Sequence, residues 1–376
     1  MFLKTKHRTH IIFLLFISIS ASCSSTDIVV GNKTKVGREH HLYLDHTRTN
    51  WESSGPRPIS TTIWYPAKPD SVESPWQMGP SFAPIFKVGY SALNAEILNT
   101  KVKYPLIILS HGTGGASTHL AWLAEHLASN GYIVAAVDHH DNTAIEDKYY
   151  PHGFLLWWER PKDLTFLLDK LLSDSKFSRS IDKGRIGAAG FSLDGYSVLG
   201  LAGAKVSLEK LEAYCNEHPH AVDCNLPPEA PFGLAEIERL KKSDPFFLKA
   251  ETEHRLSYGD KRVKAVFVIA PAIGPALTEE SLSRIAIPTE IVVGKLDDIA
   301  PAETNGDYLA ANIPTSQIIF LDNVSHYTFL SECGWLGKLT LPFVQDGLCK
   351  DNKNINRKEV HDKVAQEALV FFNRSL

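Results

Sequence analysis

The chain has 376 residues, of which 44% are apolar and 22% are charged, and its formal net charge is −4 at pH 7. These values are typical of a globular protein and argue against a disordered chain, and the length allows one large domain or two small ones. Lys and Arg are scattered along the sequence rather than gathered into a stripe, which argues against a nucleic-acid partner.

The first residues form a pattern typical of an export signal. Basic side chains precede the apolar run 11–19, and small residues occupy positions 20–22. This order is that of a secretory signal peptide, whereas a helix that spans a bilayer needs about 20 apolar residues. We therefore predict that residues 1–22 are a signal peptide and that the protein is exported.

Cys23 directly follows these small residues, an arrangement similar to the lipobox of bacterial lipoproteins, in which the cysteine is acylated. A lipobox usually has Leu where this chain has Ser20, so cleavage without acylation is the alternative. Acylation would anchor the protein to a membrane of the cell envelope, at the outer membrane or facing the periplasm. Residues 23–36 are small and polar and are predicted to form a tether.

The remaining chain, residues 37–376, is predicted to be one α/β domain. Alternating apolar and polar residues between 38 and 67 predict two antiparallel strands, and the Pro-, Ser- and Gly-rich segment 68–100 predicts loop. Beyond it, apolar β-branched runs alternate with segments of helical periodicity. This alternation predicts a mostly parallel sheet with helices on both faces. The charged segment 205–260 interrupts it and is predicted to be a helical cap.

The strongest chemical signal is the sequence GFSLDG at 190–195, between a predicted strand and a predicted helix. A nucleophile elbow needs such a sharp turn, because the turn lifts a serine hydroxyl above the sheet. We therefore predict that Ser192 is a nucleophile. The pattern G-x-S-x-G has Asp194 in place of its last Gly, so the geometry of this turn is the weakest part of the prediction.

A second signal is the Gly-rich sequence SHGTGG at 110–115, directly after an apolar strand. An oxyanion hole needs two backbone N–H donors, one from the residue after the nucleophile and one from an earlier loop. The predicted donors are the amides of Leu193 and Thr113. His111 is expected to orient this loop rather than to act as a base.

An acid and a histidine must follow the serine in that order. Asp297 and Asp298 end a late predicted strand, and His326 follows the next strand. An acid in this place can hold the imidazole and stabilise its charged form, and the histidine can take the serine proton and later return it to the leaving group. Position alone leaves both aspartates as candidates for the acid.

His139, His140 and Asp141 end another predicted strand and could take part in a metal site. No further cluster of ligands accompanies them in the sequence. We interpret them as a solvated loop at the rim of the active site, and predict neither a metal nor a cofactor.

The cysteines support export. Without Cys23 the chain has four of them: Cys215, Cys224, Cys333 and Cys349. Four cysteines allow three pairings, and the close spacing favours Cys215–Cys224 and Cys333–Cys349. Such disulfides persist in an oxidising compartment.

The runs SHGTGG, GRIGAAGFSLDGY, GKLDDIAP and SHYTFLSEC resemble those of bacterial predicted dienelactone hydrolases, which are relatives of platelet-activating-factor acetylhydrolase. The resemblance implies an α/β-hydrolase fold and a Ser-Asp-His triad. The motif G-x-x-D-x-x-x-P of these proteins fits Gly294, Asp297 and Pro301 and selects Asp297 as the acid. True dienelactone hydrolases use cysteine as nucleophile, so with Ser192 the name describes a fold and not an activity.

The resemblance also implies hydrolysis of a carboxylic ester through an acyl-enzyme, with a short-acyl or phospholipid-type ester as substrate. A peptidase or amidase with the same triad is one alternative. A non-catalytic surface lipoprotein that binds a ligand is another, and Asp194 in the predicted elbow is the feature that favours it.

Overall fold

The computed structural model of this chain describes residues 33–345 and 347–376. The predicted signal peptide, the predicted acylation site Cys23 and most of the predicted tether lie outside the described residues. The first strand begins at Lys35, so the end of the predicted tether at Lys35 and Val36 is part of the sheet.

The strands of the described residues form a sheet of 11 strands. Their bounds are β1 Lys35–Thr49, β2 Pro56–Ala67, β3 Ser74–Met78, β4 Phe86–Leu93, β5 Tyr104–Ser110, β6 Ile133–Asp138, β7 Ile181–Phe191, β8 Val263–Ile269, β9 Thr289–Gly294, β10 Ser316–Leu321 and β11 Glu332–Cys333.

The α-helices lie between and after these strands. Their bounds are α1 Ala121–Ser129, α2 Pro151–Leu155, α3 Glu159–Ser173, α4 Leu193–Leu201, α5 Leu208–Glu217, α6 Ala235–Ser243, α7 Pro245–Glu251, α8 Glu279–Leu282, α9 Gly306–Asn312, α10 Trp335–Thr340 and α11 Arg357–Ser375. Within the described ranges, none of these helices is both long and apolar enough to cross a membrane.

The strand order is β10-β9-β8-β7-β5-β6-β2-β1-β4-β11, and β3 pairs with β4. From β6 to β10 neighbouring strands are parallel, whereas β2 is antiparallel to both β6 and β1. β5 lies between β6 and β7, so after β6 the chain crosses over β5 and adds the later strands in the opposite direction. This order, with one antiparallel strand beside the parallel block, is that of the α/β-hydrolase fold, as the sequence predicted.

Helices cover both faces of the parallel strands because alternate residues of each strand point to opposite sides. In β5, Leu106 and Ile108 pack in the core that contains α3 and α4. Ile107 and Leu109 pack in the opposite core, with α1 and α11. The two cores explain why the sequence of this strand is continuously apolar rather than alternating.

The prediction of loop for residues 68–100 is wrong in part, because β3 and β4 lie within that segment. They form an antiparallel pair at the edge of the sheet, and β4 pairs with β1 only at Gly37–Ala92 and Arg38–Leu93. Edge strands are half exposed and tolerate proline such as Pro75. Their sequence therefore lacks the apolar run from which the central strands were predicted.

The segment predicted as a cap, 205–260, consists of short helices and loops that connect α4 to β8. It contains α5, α6 and α7, whose apolar residues pack in the same core as α3 and α4. The 3-10 helix Val222–Cys224 follows α5 and is joined to it by the Cys215–Cys224 disulfide. Thr304 and Asn305 donate hydrogen bonds to Asp223, so this part of the segment is also held by the loop after β9.

Both disulfides predicted from the spacing form in the structure. Cys333 and Cys349 are separated by 16 residues, and Cys215 and Cys224 by 9. In the chain-entropy description, the longer loop stabilises the folded state by about 3 kcal/mol and the shorter loop by about 0.5 kcal/mol less.

We therefore expect Cys333→Ser/Cys349→Ser to lower the free energy of unfolding by about 3 kcal/mol, because the unfolded chain regains the freedom of the open loop. Denaturant titration followed by tryptophan fluorescence measures the loss. The double variant at Cys215 and Cys224 is the matched control with a shorter loop. Unchanged stability without the Cys333–Cys349 bond would contradict the expectation.

Candidate active site

Ser192 lies in the sharp turn between β7 and α4 and has φ 57° and ψ −124°. A non-glycine residue rarely adopts a positive φ, and such residues cluster at functional sites. The turn is held by hydrogen bonds from the Ser192 amide to the Ile269 carbonyl (3.0 Å) and from the Gly195 amide to the Ser192 carbonyl (2.8 Å). A Cβ at Gly190 would overlap the Asp194 carbonyl, so the turn requires glycine there. These contacts form the sharp strand-to-helix turn that the sequence predicted.

Asp194 does not disturb this turn, because its side chain lies in a buried polar cluster. Asp194 is fully buried and accepts hydrogen bonds from Arg160 and Ser197. The close approach of α4 to a neighbouring segment occurs at Gly195 instead, where a Cβ would lie 2.9 Å from Pro271 and Val268. The glycine that this turn needs therefore stands one position later than in the usual pattern.

Ser192, His326 and Asp297 form a continuous hydrogen-bonded chain. The Ser192 Oγ lies 2.9 Å from Nε2 of His326, and Nδ1 of His326 lies 2.7 Å from Oδ2 of Asp297. Because an ionised carboxylate only accepts, Nδ1 carries the proton and Nε2 is left to accept from the serine hydroxyl. The other Asp297 oxygen accepts from the amides of Ile299 (3.0 Å) and Ala300 (2.7 Å), which fixes the carboxylate.

The electrostatics of His326 favour its charged form. The imidazole is buried, and burial by itself lowers its pKa. The Asp297 carboxylate outweighs burial through its charge and its hydrogen bond, and the net result is a pKa above the ordinary value of 6.5. Phe191 packs with its ring centroid 4.8 Å from that of His326. The imidazole is thus held on one side by a carboxylate and on another by an aromatic ring.

The Gly-rich loop after β5 lies against Ser192. A Cβ at Gly112 would lie 2.9 Å from the Ser192 Cβ, so only glycine allows this approach. Thr113, Ser192 and Leu193 line one cavity. Leu193 is the first residue of α4, and amides in the first turn of a helix have no partner within the helix. The structure thus places both predicted oxyanion donors on the wall of the cavity that contains the serine hydroxyl.

His111 holds the loop and is neutral. Its Nε2 accepts a hydrogen bond from the His139 amide (3.2 Å), so its Nδ1 carries the proton and donates to the Gly112 carbonyl (2.7 Å). Burial, followed by the charge of Arg160, lowers the pKa of His111 well below 6.5. Both nitrogens are engaged with backbone, which agrees with the prediction that His111 orients the loop.

A buried network of charged side chains supports this loop from behind, and the sequence analysis did not find it. Arg160 donates to Asp194 and to the His111 carbonyl (3.0 Å). His139 bonds to Ser110 through Nε2 (2.8 Å) and to Asp163 through Nδ1 (2.9 Å). The apolar residues of α3 recur at helical spacing, which predicts a helix. This spacing gives no sign that Arg160 and Asp163, which lie on the same helix, face inward.

The interpretation of the segment after β6 as a solvated loop is wrong. His139 and Asp141 are 1% and 2% exposed. Asn142 accepts a hydrogen bond from the Gly114 amide (2.6 Å), and Thr143 donates to the Gly115 carbonyl (2.9 Å). This segment is buried because it clamps the Gly-rich loop, a contact between residues that are far apart in the sequence.

The cavity beside Ser192 has a volume of about 720 Å³. Its floor includes Ser192 and Leu193, and residues 222–236 of the cap cover it. Phe154 and Trp157 add aromatic surface. Cavities of this size and largely apolar character bind small organic ligands. The cap therefore supplies much of the lining of a cavity that Ser192 also lines and that suits an apolar group.

Comparison with known proteins finds sequence similarity to ester hydrolases. A family described as platelet-activating factor acetylhydrolase, isoform II, matches residues 70–153, a range that includes the Gly-rich loop and ends before Ser192. The platelet-activating factor acetylhydrolase of Canis lupus familiaris is 36% identical over 98 residues, which are 24% of this chain and 22% of that protein. Cutinase est1 of Thermobifida alba is 32% identical over 108 residues, covering 28% of this chain and 33% of that protein. The similarity spans a third or less of these relatives.

The fold has a counterpart among solved structures. A ferulic acid esterase from Streptomyces cinnamoneus superposes with a TM-score of 0.53, covering 91% of this chain and 90% of that chain. The two sequences are 20% identical. This likeness supports the α/β-hydrolase fold over nearly the whole length of the chain.

Proposed function

We propose that this protein is a serine hydrolase that cleaves carboxylic esters through an acyl-enzyme. The observation that carries the proposal is the chain of contacts from Ser192 Oγ to His326 (2.9 Å) and from His326 to Asp297 (2.7 Å), beside a cavity that Ser192 lines. A hydroxyl, an imidazole and a fixed carboxylate in this order are what nucleophilic acyl transfer needs. The similarity of part of the chain to acetylhydrolases and cutinases supports an ester as substrate.

In the proposed mechanism, Ser192 Oγ attacks the ester carbonyl carbon while His326 Nε2 takes the hydroxyl proton. The carbonyl oxygen becomes an oxyanion that accepts hydrogen bonds from the amides of Leu193 and Thr113. Collapse of this intermediate breaks the bond to the alcohol oxygen, which receives the proton from His326. A water molecule, deprotonated by the same imidazole, then attacks the acyl-enzyme and releases the acid. Asp297 orients the ring and stabilises its charged form throughout.

The raised pKa of His326 predicts a pH profile. The base must be neutral to accept the serine proton, so kcat/KM should rise with pH through an apparent pKa above 6.5. Replacing Asp297 by Asn removes the charge that raises this pKa, so the rise should move to lower pH and kcat should fall by about 10⁴-fold. Hydrolysis of a soluble acetate ester followed by pH-stat at several pH values measures both. A wild-type rise centred well below pH 6.5 would contradict the role assigned to His326.

The substrate class that we propose is a short-acyl or phospholipid-type ester. The cavity of about 720 Å³ has room for a small organic ester. Near the site, Gln345 donates a hydrogen bond to Tyr327, the neighbour of His326. On the same disulfide-closed loop as Gln345, Trp335 and Phe343 are 57% and 88% exposed. Exposed large apolar side chains favour contact with a lipid phase.

The position of Asp194 bears on the non-catalytic alternative. Asp194 was the feature that favoured a binding lipoprotein, and its side chain lies in the buried network rather than in the cavity.

We also propose that the protein works outside the cytoplasm, because its disulfides need an oxidising compartment, and that acylated Cys23 anchors it there. We further propose that the chain is related to the bacterial predicted dienelactone hydrolases, on the basis of the sequence runs that it shares with them.

The decisive experiment is labelling with a fluorophosphonate probe, followed by p-nitrophenyl esters of increasing acyl length. An esterase should be labelled and should hydrolyse short esters fastest, and both signals should vanish in Ser192→Ala. A folded wild-type protein that neither reacts with the probe nor cleaves any ester would instead support a binding protein. A matched pair of anilide and ester substrates separates the amidase alternative, since faster release of the amine would favour it.

A further inference from the structure

A second cluster of chemically reactive side chains lies in the segment after β6, outside the Ser192–His326–Asp297 chain. His140, Asp141 and Glu146 each offer a ligand atom, and these atoms all lie within 4.8 Å of one another. Nδ1 of His140 is 3.1 Å from both carboxylate oxygens of Glu146. Nε2 of His140 is 3.4 Å from Oδ2 of Asp141. The three residues are close in sequence, yet the chain must turn sharply at Asp141, where φ is 61°, to bring them together.

Asp141 contributes an unsatisfied oxygen to this cluster. The residue is 2% exposed, and its Oδ2 accepts no hydrogen bond from a donor in the described part of the chain. Oδ2 is the atom that faces His140, so it is aimed into the cluster. A buried carboxylate oxygen without a partner is costly, and such groups are normally paired or coordinate a metal.

The surroundings make the cluster electronegative and reachable. Glu52 adds a further carboxylate that acts on Asp141. Arg57 also acts on Asp141, but this guanidinium is held by two hydrogen bonds to Asp163, of 2.8 and 2.9 Å. The side chains of His140 and Glu146 are 12% and 27% exposed, so an ion can reach the cluster from solvent past Glu146.

The ligand types and spacing indicate which ion fits. An imidazole nitrogen with carboxylate oxygens suits zinc better than magnesium or calcium, which prefer oxygen ligands alone. Tetrahedral bonds of about 2.0–2.1 Å place ligand atoms about 3.3 Å apart. Nδ1 of His140 lies 3.1 Å from Glu146, close to this value, and the three ligand atoms lie within 4.8 Å of one another, so the carboxylates would have to close in on the ion by side-chain rotation. We propose that His140, through one ring nitrogen, Asp141 and Glu146 bind one Zn²⁺, with water completing the coordination.

This site differs from what the sequence analysis expected. The sequence predicts no metal here because no further cluster of ligands accompanies His139, His140 and Asp141. In the folded chain Glu146 supplies the further ligand, whereas His139 points to Ser110 and Asp163 and takes no part.

The ion would act on the active site through the backbone and not through the substrate. Asn142 and Thr143 lie between the ligands, and they hold Gly114 and Gly115 of the Gly-rich loop. The Ala144 amide also donates to the Gly115 carbonyl (2.8 Å). An ion bound at both ends of residues 140–146 would fix the segment that holds this loop. Its role would be to position the Gly-rich loop and to stabilise the fold.

Isothermal titration of the chelator-treated full chain with ZnCl₂ tests the proposal without measuring esterase activity. We expect one Zn²⁺ per chain and an increase of Tm on binding, because the ion binds only the folded state. Glu146→Gln and Asp141→Asn each remove a ligand charge with little change of shape, and Asn tolerates the positive φ at 141. Each should weaken Zn²⁺ binding by more than about 10- to 100-fold, the loss caused by changing residues that only support a ligand.

Asp147→Asn is the matched control, because Asp147 is an exposed carboxylate next to Glu146 that lies outside the cluster. It should bind Zn²⁺ as the wild type does. Crystals soaked in ZnCl₂ should show an anomalous peak between His140 and Glu146. No binding to the wild type, or equal binding by the wild type and both ligand variants, overturns the proposal, because the ion would then be absent or held by other histidines.

Discussion

Replacing Ser192 by Ala should lower kcat for p-nitrophenyl acetate by about 10⁶-fold, the loss seen when the nucleophile of a hydrogen-bonded triad is removed. The hydroxyl is the atom that forms the acyl bond, and His326 has no other hydroxyl in its hydrogen-bond chain to activate. Initial rates at saturating ester, with an active-site titration of the wild type, measure the effect. Ser283→Ala, at an exposed serine of the described chain, is the control and should keep full activity.

The same experiment tests whether the three side chains act as a unit. Removal of His326 in the Ser192→Ala background should cause almost no further loss, because residues of one triad are strongly non-additive. Thermal melts should stay close to the wild type, which excludes misfolding as the cause. If Ser192→Ala kept more than about one hundredth of the wild-type kcat, another nucleophile would be responsible and the mechanism would be wrong.

Replacing Arg160 by Met should lower the free energy of unfolding by about 3–5 kcal/mol, because it leaves the buried Asp194 carboxylate without its cationic partner. Arg160 and Asp194 are 2% and 0% exposed. Burial by itself would raise the pKa of Asp194, but Arg160 and His139 hold it well below 3.8. The stabilisation is therefore present above the unfolded pKa of Asp194 and is lost as the pH falls through its folded pKa. Urea titration at neutral pH measures it.

The control for this prediction is an exposed ion pair. Arg284 and Glu280 also form a salt bridge, but their side chains are 73% and 75% exposed. Arg284→Met should change stability by less than about 1 kcal/mol. In the buried pair, the double variant Arg160→Met/Asp194→Asn should lose less free energy of unfolding than the two single variants lose together. The reason is that the double variant leaves no unpaired charge. Additive losses would show that Arg160 stabilises the fold by packing alone.

Arg160 also connects stability to the site. Its guanidinium donates to the His111 carbonyl at 3.0 Å, and His111 begins the Gly-rich loop that faces Ser192. The buried network thus explains why a charged residue stands in the elbow. Asp194 pairs with the arginine that holds the loop, and a glycine at this position would leave Arg160 without its carboxylate.

Most of the fold could be predicted because its parallel strands are buried on both faces. Runs such as 104–110 are continuously apolar, and helical periodicity between them sets the order of strands and helices. The edge strands β3 and β4 could not be predicted in this way. Most of their side chains are exposed or half-buried, and β4 pairs with β1 over two residues only, so their sequence lacks the continuous apolar run of a central strand.

The sequence by itself determined the local chemistry of this protein: the turn at Ser192, the Gly-rich loop, the order of acid and histidine, and the cysteine spacing. These features depend on neighbouring residues, and each needs particular side chains or glycine to form. Only the tertiary structure decided that Asp194 faces Arg160, that residues 139–146 clamp the loop, and that Glu146 joins His140 and Asp141. Burial and pairing of polar groups are set by contacts between distant segments, and a single sequence does not record which side of a helix or turn meets the core.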